Sequence, residues 1–170
     1  SEMCIRDSPY GVDTIRVNSA HEMLASVSEW LPQADVSIFG AAVSDYGFEN
    51  IATNKMKRSE KKGPFILDLM ENPDIALETK NERKAKSITV GFALETESLL
   101  ENARDKLERK QFDFIVANRA DEEDAGFDSE NNRVTLLFPD GRCEEVPLMS
   151  KHLVSEIIMG HILELLKDRP

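Results

Sequence analysis

An apolar run over residues 36–43 stops at the carboxylate of Asp45, and Lys55, Lys57, Arg58, Lys61 and Lys62 follow within one polar stretch. An acid delivered at a strand's end, beside a lysine-rich loop able to fold back over it, suits a nucleoside triphosphate and its metal ion. Each charge-assisted hydrogen bond to phosphate contributes about 1.5–3 kcal/mol, so a few lysines decide such an affinity. A turn-capping aspartate and a solvated basic loop are the bland alternatives at these positions. Further along, Lys106 and Lys110 stand four apart on one helical face, with Arg104 and Arg109 placed elsewhere on the wheel. Asn72-Pro73-Asp74-Ile75 reads as a helix start that could offer amides to an anion.

Other chemistries lack their residues. His21, His152 and His161 have no partner at metal-ligand spacing and no nucleophile motif beside them. Neither G-x-x-x-x-G-K-[ST] nor G-x-G-x-x-G occurs, which disfavours a P-loop enzyme and a nicotinamide-binding oxidoreductase. Cys4 and Cys143 are too isolated for a zinc knuckle or redox pair, and a reducing cytoplasmic setting fits them. The net charge of −11 argues against a nucleic-acid partner, so an anionic ligand needs a local basic cluster. No apolar stretch approaches the roughly 20 residues of a membrane span.

The elements that must position these groups follow from periodicity. One domain is expected of 170 residues. Residues 14–17 read as a short strand, and Ser19 with Glu22 forms a capping box opening a helix to about Leu31. The run 36–43 reads as a parallel strand covered on both faces, and 45–64 as a loop or flap. A strand over 65–70 and a helix with Pro73 in its first turn come next. Strands over 87–94 and 112–117 bracket a helix over 97–110, whose apolar face is Leu99, Leu100, Ala103 and Leu107. Strands 133–138 and 143–146 flank the turn Pro139-Asp140-Gly141 as a hairpin. A last helix over 151–166 presents Leu153, Ile157, Ile158, Ile162 and Leu165. The alternation predicts an α/β fold: a doubly wound, mostly parallel, Rossmann-like sheet with a C-terminal antiparallel hairpin.

Six segments in order resemble phosphopantothenoylcysteine synthetase. They are Ala41-Ala42-Val43-Ser44-Asp45-Tyr46, Lys55-Met56-Lys57-Arg58, Asn72-Pro73-Asp74-Ile75, Val90-Gly91-Phe92-Ala93-Leu94-Glu95-Thr96, Ala103-Arg104-Asp105-Lys106-Leu107 and Ile115-Val116-Ala117-Asn118. The stretch 126–132 and the final helix with Lys151 are similar to the same family's tail. In bacteria this domain is commonly fused behind a flavin-dependent decarboxylase, and FMN is implied only for such an upstream domain.

The resemblance implies a CTP-dependent ligase of coenzyme A biosynthesis. The carboxylate of 4'-phosphopantothenate attacks the α-phosphate of CTP, pyrophosphate leaves, and cysteine's amine then displaces CMP. It implies Lys55 as the catalytic lysine and a CTP site of Asp45, Lys55, Pro73, Asp74, Ile75, Ala76, Phe92, Lys106 and Lys110. Ala41 and Ala42 would lie against the phosphopantothenate, and Mg²⁺ would accompany the triphosphate, with Asp45 reaching it through water. A homodimer is also implied.

Two departures qualify the expectation. The family's glycine-rich strand-to-helix turn and its N-x-S-S-G stretch do not occur, and residues 1–8 show no pattern that joins the rest. The expectation is therefore a non-native segment over 1–8 and, over 9–170, a ligase domain lacking its first strand. Such a chain would bind CTP weakly and complete the reaction poorly or not at all; a catalytically incomplete nucleotide-binding or dimerisation fragment is the alternative.

Overall fold

The most apolar stretches of the sequence become the centre of the sheet. In the computed structural model, which describes residues 10–48, 66–95, 98–119 and 129–169, β4 (Ile88–Glu95) and β5 (Phe114–Arg119) pair in parallel from Val90–Phe114 to Glu95–Arg119. Helices cover both faces of the sheet here, and only Phe92 and Leu94 near the end of β4 stay open to solvent among their apolar residues. Ile88, Val90, Phe114 and Val116 face α4 (Lys151–Asp168), while Ala93, Ile115 and Ala117 face α3 (Leu99–Arg109) and α2 (Ile75–Glu78). The two-residue alternation of each strand thus feeds two separate cores.

The five-stranded sheet has the order β1-β4-β5-β6-β7. β1 (Val36–Phe39) is parallel to β4; β6 (Asn131–Leu137) and β7 (Cys143–Ser150) are antiparallel neighbours, as the hairpin reading requires. The sheet is a mixed α/β arrangement with helices on both faces. Among the described residues no helix is long and apolar enough to cross a membrane. The expected segment 1–8 lies outside the described residues.

Several boundaries differ from the sequence reading. The strand expected over 14–17 does not form, since nothing described pairs with these residues, and Ile15 stays exposed. β1 ends at Phe39 rather than 43, where its pairing with Gly91 stops. It is an edge strand of the described sheet, only partly covered, with Ile38 51% exposed. The expected flap opens with a strand: β2 (Tyr46–Phe48) pairs antiparallel with β3 (Leu69–Glu71), so the strand expected over 65–70 is later and shorter. Asp74, not Pro73, begins α2 as its N-cap, and that helix is a single short turn.

Caps and faces follow the sequence more closely. Ser19 accepts from the Glu22 amide at 3.1 Å, while Glu22 Oε2 accepts from the Asn18 amide at 2.6 Å, opening α1 (Ala20–Trp30). In α4 the buried residues are Val154, Ile158 and Ile162, and Leu153 points outward; in α3 Leu100 is likewise exposed beside buried Ala103 and Leu107. Ser150 caps α4 by accepting from the Leu153 amide at 3.3 Å. Ser150→Ala is expected to cost about 0.5–2 kcal/mol, read as a lower urea midpoint at unchanged slope.

Candidate functional site

One cleft of about 1010 Å³ opens beyond the ends of β1 and β4, bounded by the chain after β1, the start of α2 and one face of α3. Its position is where open α/β sheets gather ligands. Gly40, Ala41 and Ala42 give it a wall almost without side chains, and a Cβ on Gly40 would lie 3.6 Å from the Phe92 ring. The backbone there therefore sits close beneath that aromatic.

Asn72 holds two sides of the cleft together. Its side-chain amide donates to the Ser44 carbonyl at 2.9 Å, and its backbone N–H donates to the Asp45 carbonyl at 2.8 Å. Thus the carboxylate of Asp45 and the start of α2 are placed relative to one another by a single residue. The sequence marked Asn72 only as part of a helix start. No local pattern reveals a contact across 28 positions.

The cationic side belongs to α3. Lys110 Nζ meets Asp74 Oδ1 at 2.9 Å, Arg109 approaches the other oxygen of Asp74 at 3.7 Å, and Lys106 Nζ meets Glu95 Oε1 at 2.5 Å. Arg109 therefore shares the face it was expected to avoid: it is three residues from Lys106, a spacing that faces the same side of a helix. Arg109 also approaches Asp105 at 3.9 Å, so the three cations on this side are matched by three carboxylates. Asp74 also accepts from the Leu77 amide at 3.3 Å, so its carboxylate is tied to α2 as well as to the lysine.

The floor is aromatic, and a half-buried arginine packs against its rings. Phe39 and Phe112 lie 5.9 Å apart between ring centroids, with the Arg83 guanidinium 5.8 and 5.6 Å from them. Arg83 donates to the Gln111 carbonyl at 2.7 Å and the Ala76 carbonyl at 3.0 Å. Burial pushes its pKa below the usual arginine value, with Asp113 acting in the opposite direction. Through these bonds Arg83 fastens α2 to the turn between α3 and β5, a role nothing in its sequence neighbourhood announced.

Of the residues singled out from the sequence, Ala41, Ala42, Asp45, Pro73, Asp74, Ile75, Ala76, Phe92, Lys106 and Lys110 all line this cleft. Lys55 and the rest of the basic cluster lie outside the described residues, as do Thr96 and 126–128. Asn118, expected at a strand end, also lines it, together with Asn132 and Lys151. Among the described residues no three His, Cys, Asp or Glu side chains gather as a metal site.

Comparison with known proteins gives a consistent family. A model described as DNA/pantothenate metabolism flavoprotein C-terminal domain matches residues 2–166. The Coenzyme A biosynthesis bifunctional protein CoaBC of Vibrio vulnificus strain YJ016 is 36% identical over 159 residues, 94% of this chain and 39% of that protein. A Cysteine/Cysteine sulfinic acid decarboxylase from an unknown prokaryotic organism is 35% identical, over 95% of this chain and 44% of that protein. The chain thus spans less than half of either curated relative. A crystal structure of the C-terminal domain of Coenzyme A biosynthesis bifunctional protein CoaBC aligns with a TM-score of 0.75 at 31% identity, covering 95% of this chain and 70% of that one.

Proposed function

Because the chain belongs to the DNA/pantothenate metabolism flavoprotein C-terminal domain family, we propose that it is the CTP-dependent ligase domain that joins 4'-phosphopantothenate to cysteine. One observation carries this reading. Every described residue that the resemblance assigned to CTP or phosphopantothenate, drawn from four separate stretches of sequence, lines the same cleft.

The chemistry asked of the cleft is modest in kind. A carboxylate is a poor electrophile until one oxygen becomes part of a leaving group, and transfer to the α-phosphate of CTP achieves this as the bond to pyrophosphate breaks. The cysteine amine then attacks the activated carbonyl, an amide forms and CMP departs. Lys106 and Lys110 stand where they can meet phosphate oxygens, and the small side chains of Ala41 and Ala42 leave room for phosphopantothenate. The protein's part is positioning and electrostatic stabilisation, with Lys55 the further lysine expected at the phosphates.

Magnesium fits as a companion of the triphosphate rather than a resident ion. The described residues hold no carboxylate cluster of their own, and such ions are commonly bound by one or two carboxylates with phosphates and water. Asp45 is the carboxylate suited to that role; the ion would neutralise charge on the phosphates. Soluble substrates accord with a cytoplasmic setting, and the acidic surface with neither nucleic acid nor membrane as partner. A second copy of the chain is the expected macromolecular partner.

The test is pyrophosphate release by the purified chain with Mg²⁺. Release is expected with CTP and phosphopantothenate together, followed by CMP release on adding cysteine; equal release with ATP would overturn the CTP assignment. A second reading is a domain that holds the nucleotide without completing ligation. It is favoured by the relative named as a decarboxylase, which shares this domain's sequence under another activity. Calorimetric CTP binding with no pyrophosphate released would select it.

A further inference from the structure

The last residue of β4 does more than end a strand. Glu95 has its side chain only 16% exposed, and both carboxylate oxygens accept hydrogen bonds from α3. Oε1 accepts from Lys106 Nζ at 2.5 Å and Oε2 from Asn102 Nδ2 at 3.1 Å. Lys106 itself, with a side chain 34% exposed, lines the cleft.

We propose that Glu95 is the positioning residue that presents Lys106 to the phosphates of the nucleotide. This rests on the CTP reading above. A lysine side chain has four rotatable bonds and a compact charge, so on an exposed helix it samples many positions. Glu95 removes most of that freedom before ligand arrives. The ammonium group has three N–H donors; one serves Glu95 and two remain for phosphate oxygens. Asn102 fixes the carboxylate in turn, so the alignment passes from α3 to the end of β4 and back to α3.

Glu95 also carries a negative charge that opposes a polyphosphate. Position and charge therefore act on affinity with opposite signs, and two variants separate them. Glu95→Gln keeps an oxygen acceptor for Lys106 while deleting the charge; Glu95→Ala deletes both. A residue acting only through its charge would make the two variants equal.

The experiment is calorimetric titration of the whole chain with CTP and Mg²⁺, each variant first checked for an unchanged thermal transition. CTP should bind Glu95→Gln as tightly as the wild type or more tightly, and Glu95→Ala about tenfold more weakly than Glu95→Gln, the equivalent of freezing one long side chain. Asn102→Ala, on the exposed side of α3, supplies a second arm in case Glu95→Ala folds poorly. It should weaken binding about two- to threefold, a fraction of one hydrogen bond's net worth. Equal affinities for the Gln and Ala variants, or an unaltered Asn102→Ala, would end the positioning role while leaving the nucleotide reading intact. Absence of CTP binding by the wild-type chain would end both.

Discussion

Lys110→Ala is expected to weaken CTP binding by about 10- to 100-fold, the equivalent of one charge-assisted hydrogen bond of about 1.5–3 kcal/mol. Lys110 is the better buried of the two α3 lysines in the cleft, 18% exposed against 34% for Lys106, and its partner Asp74 stays behind when it is removed. The remaining carboxylate then faces the phosphates with only Arg109, at 3.7 Å, to offset it. Part of the loss is thus repulsion rather than a missing bond. Adding Asp74→Asn to Lys110→Ala should recover about half of it in logarithmic terms, because asparagine still caps α2. Titration at two salt concentrations checks the electrostatic origin, since the wild-type advantage should shrink as salt rises. Binding by Lys110→Ala within threefold of wild type would remove the α3 cations from the site.

The sequence signalled the centre of this fold well and its margins poorly, for one physical reason. β5 and the first half of β4 are buried on both sides, so their apolar runs are long and continuous, and their expected and observed limits differ by a residue or two. Hydrophobicity does not report where pairing ends. The run 36–43 remains apolar after β1 has left the sheet at Phe39, because Ala41, Ala42 and Val43 line a cleft instead of pairing. The ribbon of β2 and β3 failed for the opposite reason. Tyr46, Phe48, Leu69 and Met70 are exposed, and three-residue strands give too short a pattern to show β2 or to set the limits of β3.

The site shows the same division. The residue at the end of the first apolar run and those on one face of α3 could be flagged from spacing, as Asp45, Lys106 and Lys110 were, while Glu95 and Asn118 stood within segments that carry the resemblance. Residues that hold them in place could not be found that way. Asn72 joins segments 28 positions apart, and Arg83 reaches Gln111 at the same separation. Such contacts exist only after folding. Arg109 was different: its three-residue offset from Lys106 was sufficient information, and both ends of Asp74 now show it on that face.

Phe112→Ala should lose about 3–5 kcal/mol of stability, the usual cost of emptying a large buried aromatic site. Phe112 is 5% exposed and forms part of the cleft floor, so its loss also removes one of the two rings against Arg83. The companion change is Gly91→Ala. A methyl group at Gly91 would fall 2.2 Å from Phe112 Cε2 and 2.5 Å from Cδ2, a contact only movement of the ring or the strand can relieve. Because Gly91 pairs with Phe39 on one side and Ile115 on the other, the strand is held and the ring must move. Gly91→Ala alone should therefore cost about 1–3 kcal/mol. In the Phe112→Ala background the same methyl enters the space the ring has left. There it should cost almost nothing or stabilise slightly, giving a coupling of about 1–3 kcal/mol in urea denaturation of the four proteins. Additive losses would mean that glycine is required at this position for some reason other than room for the ring.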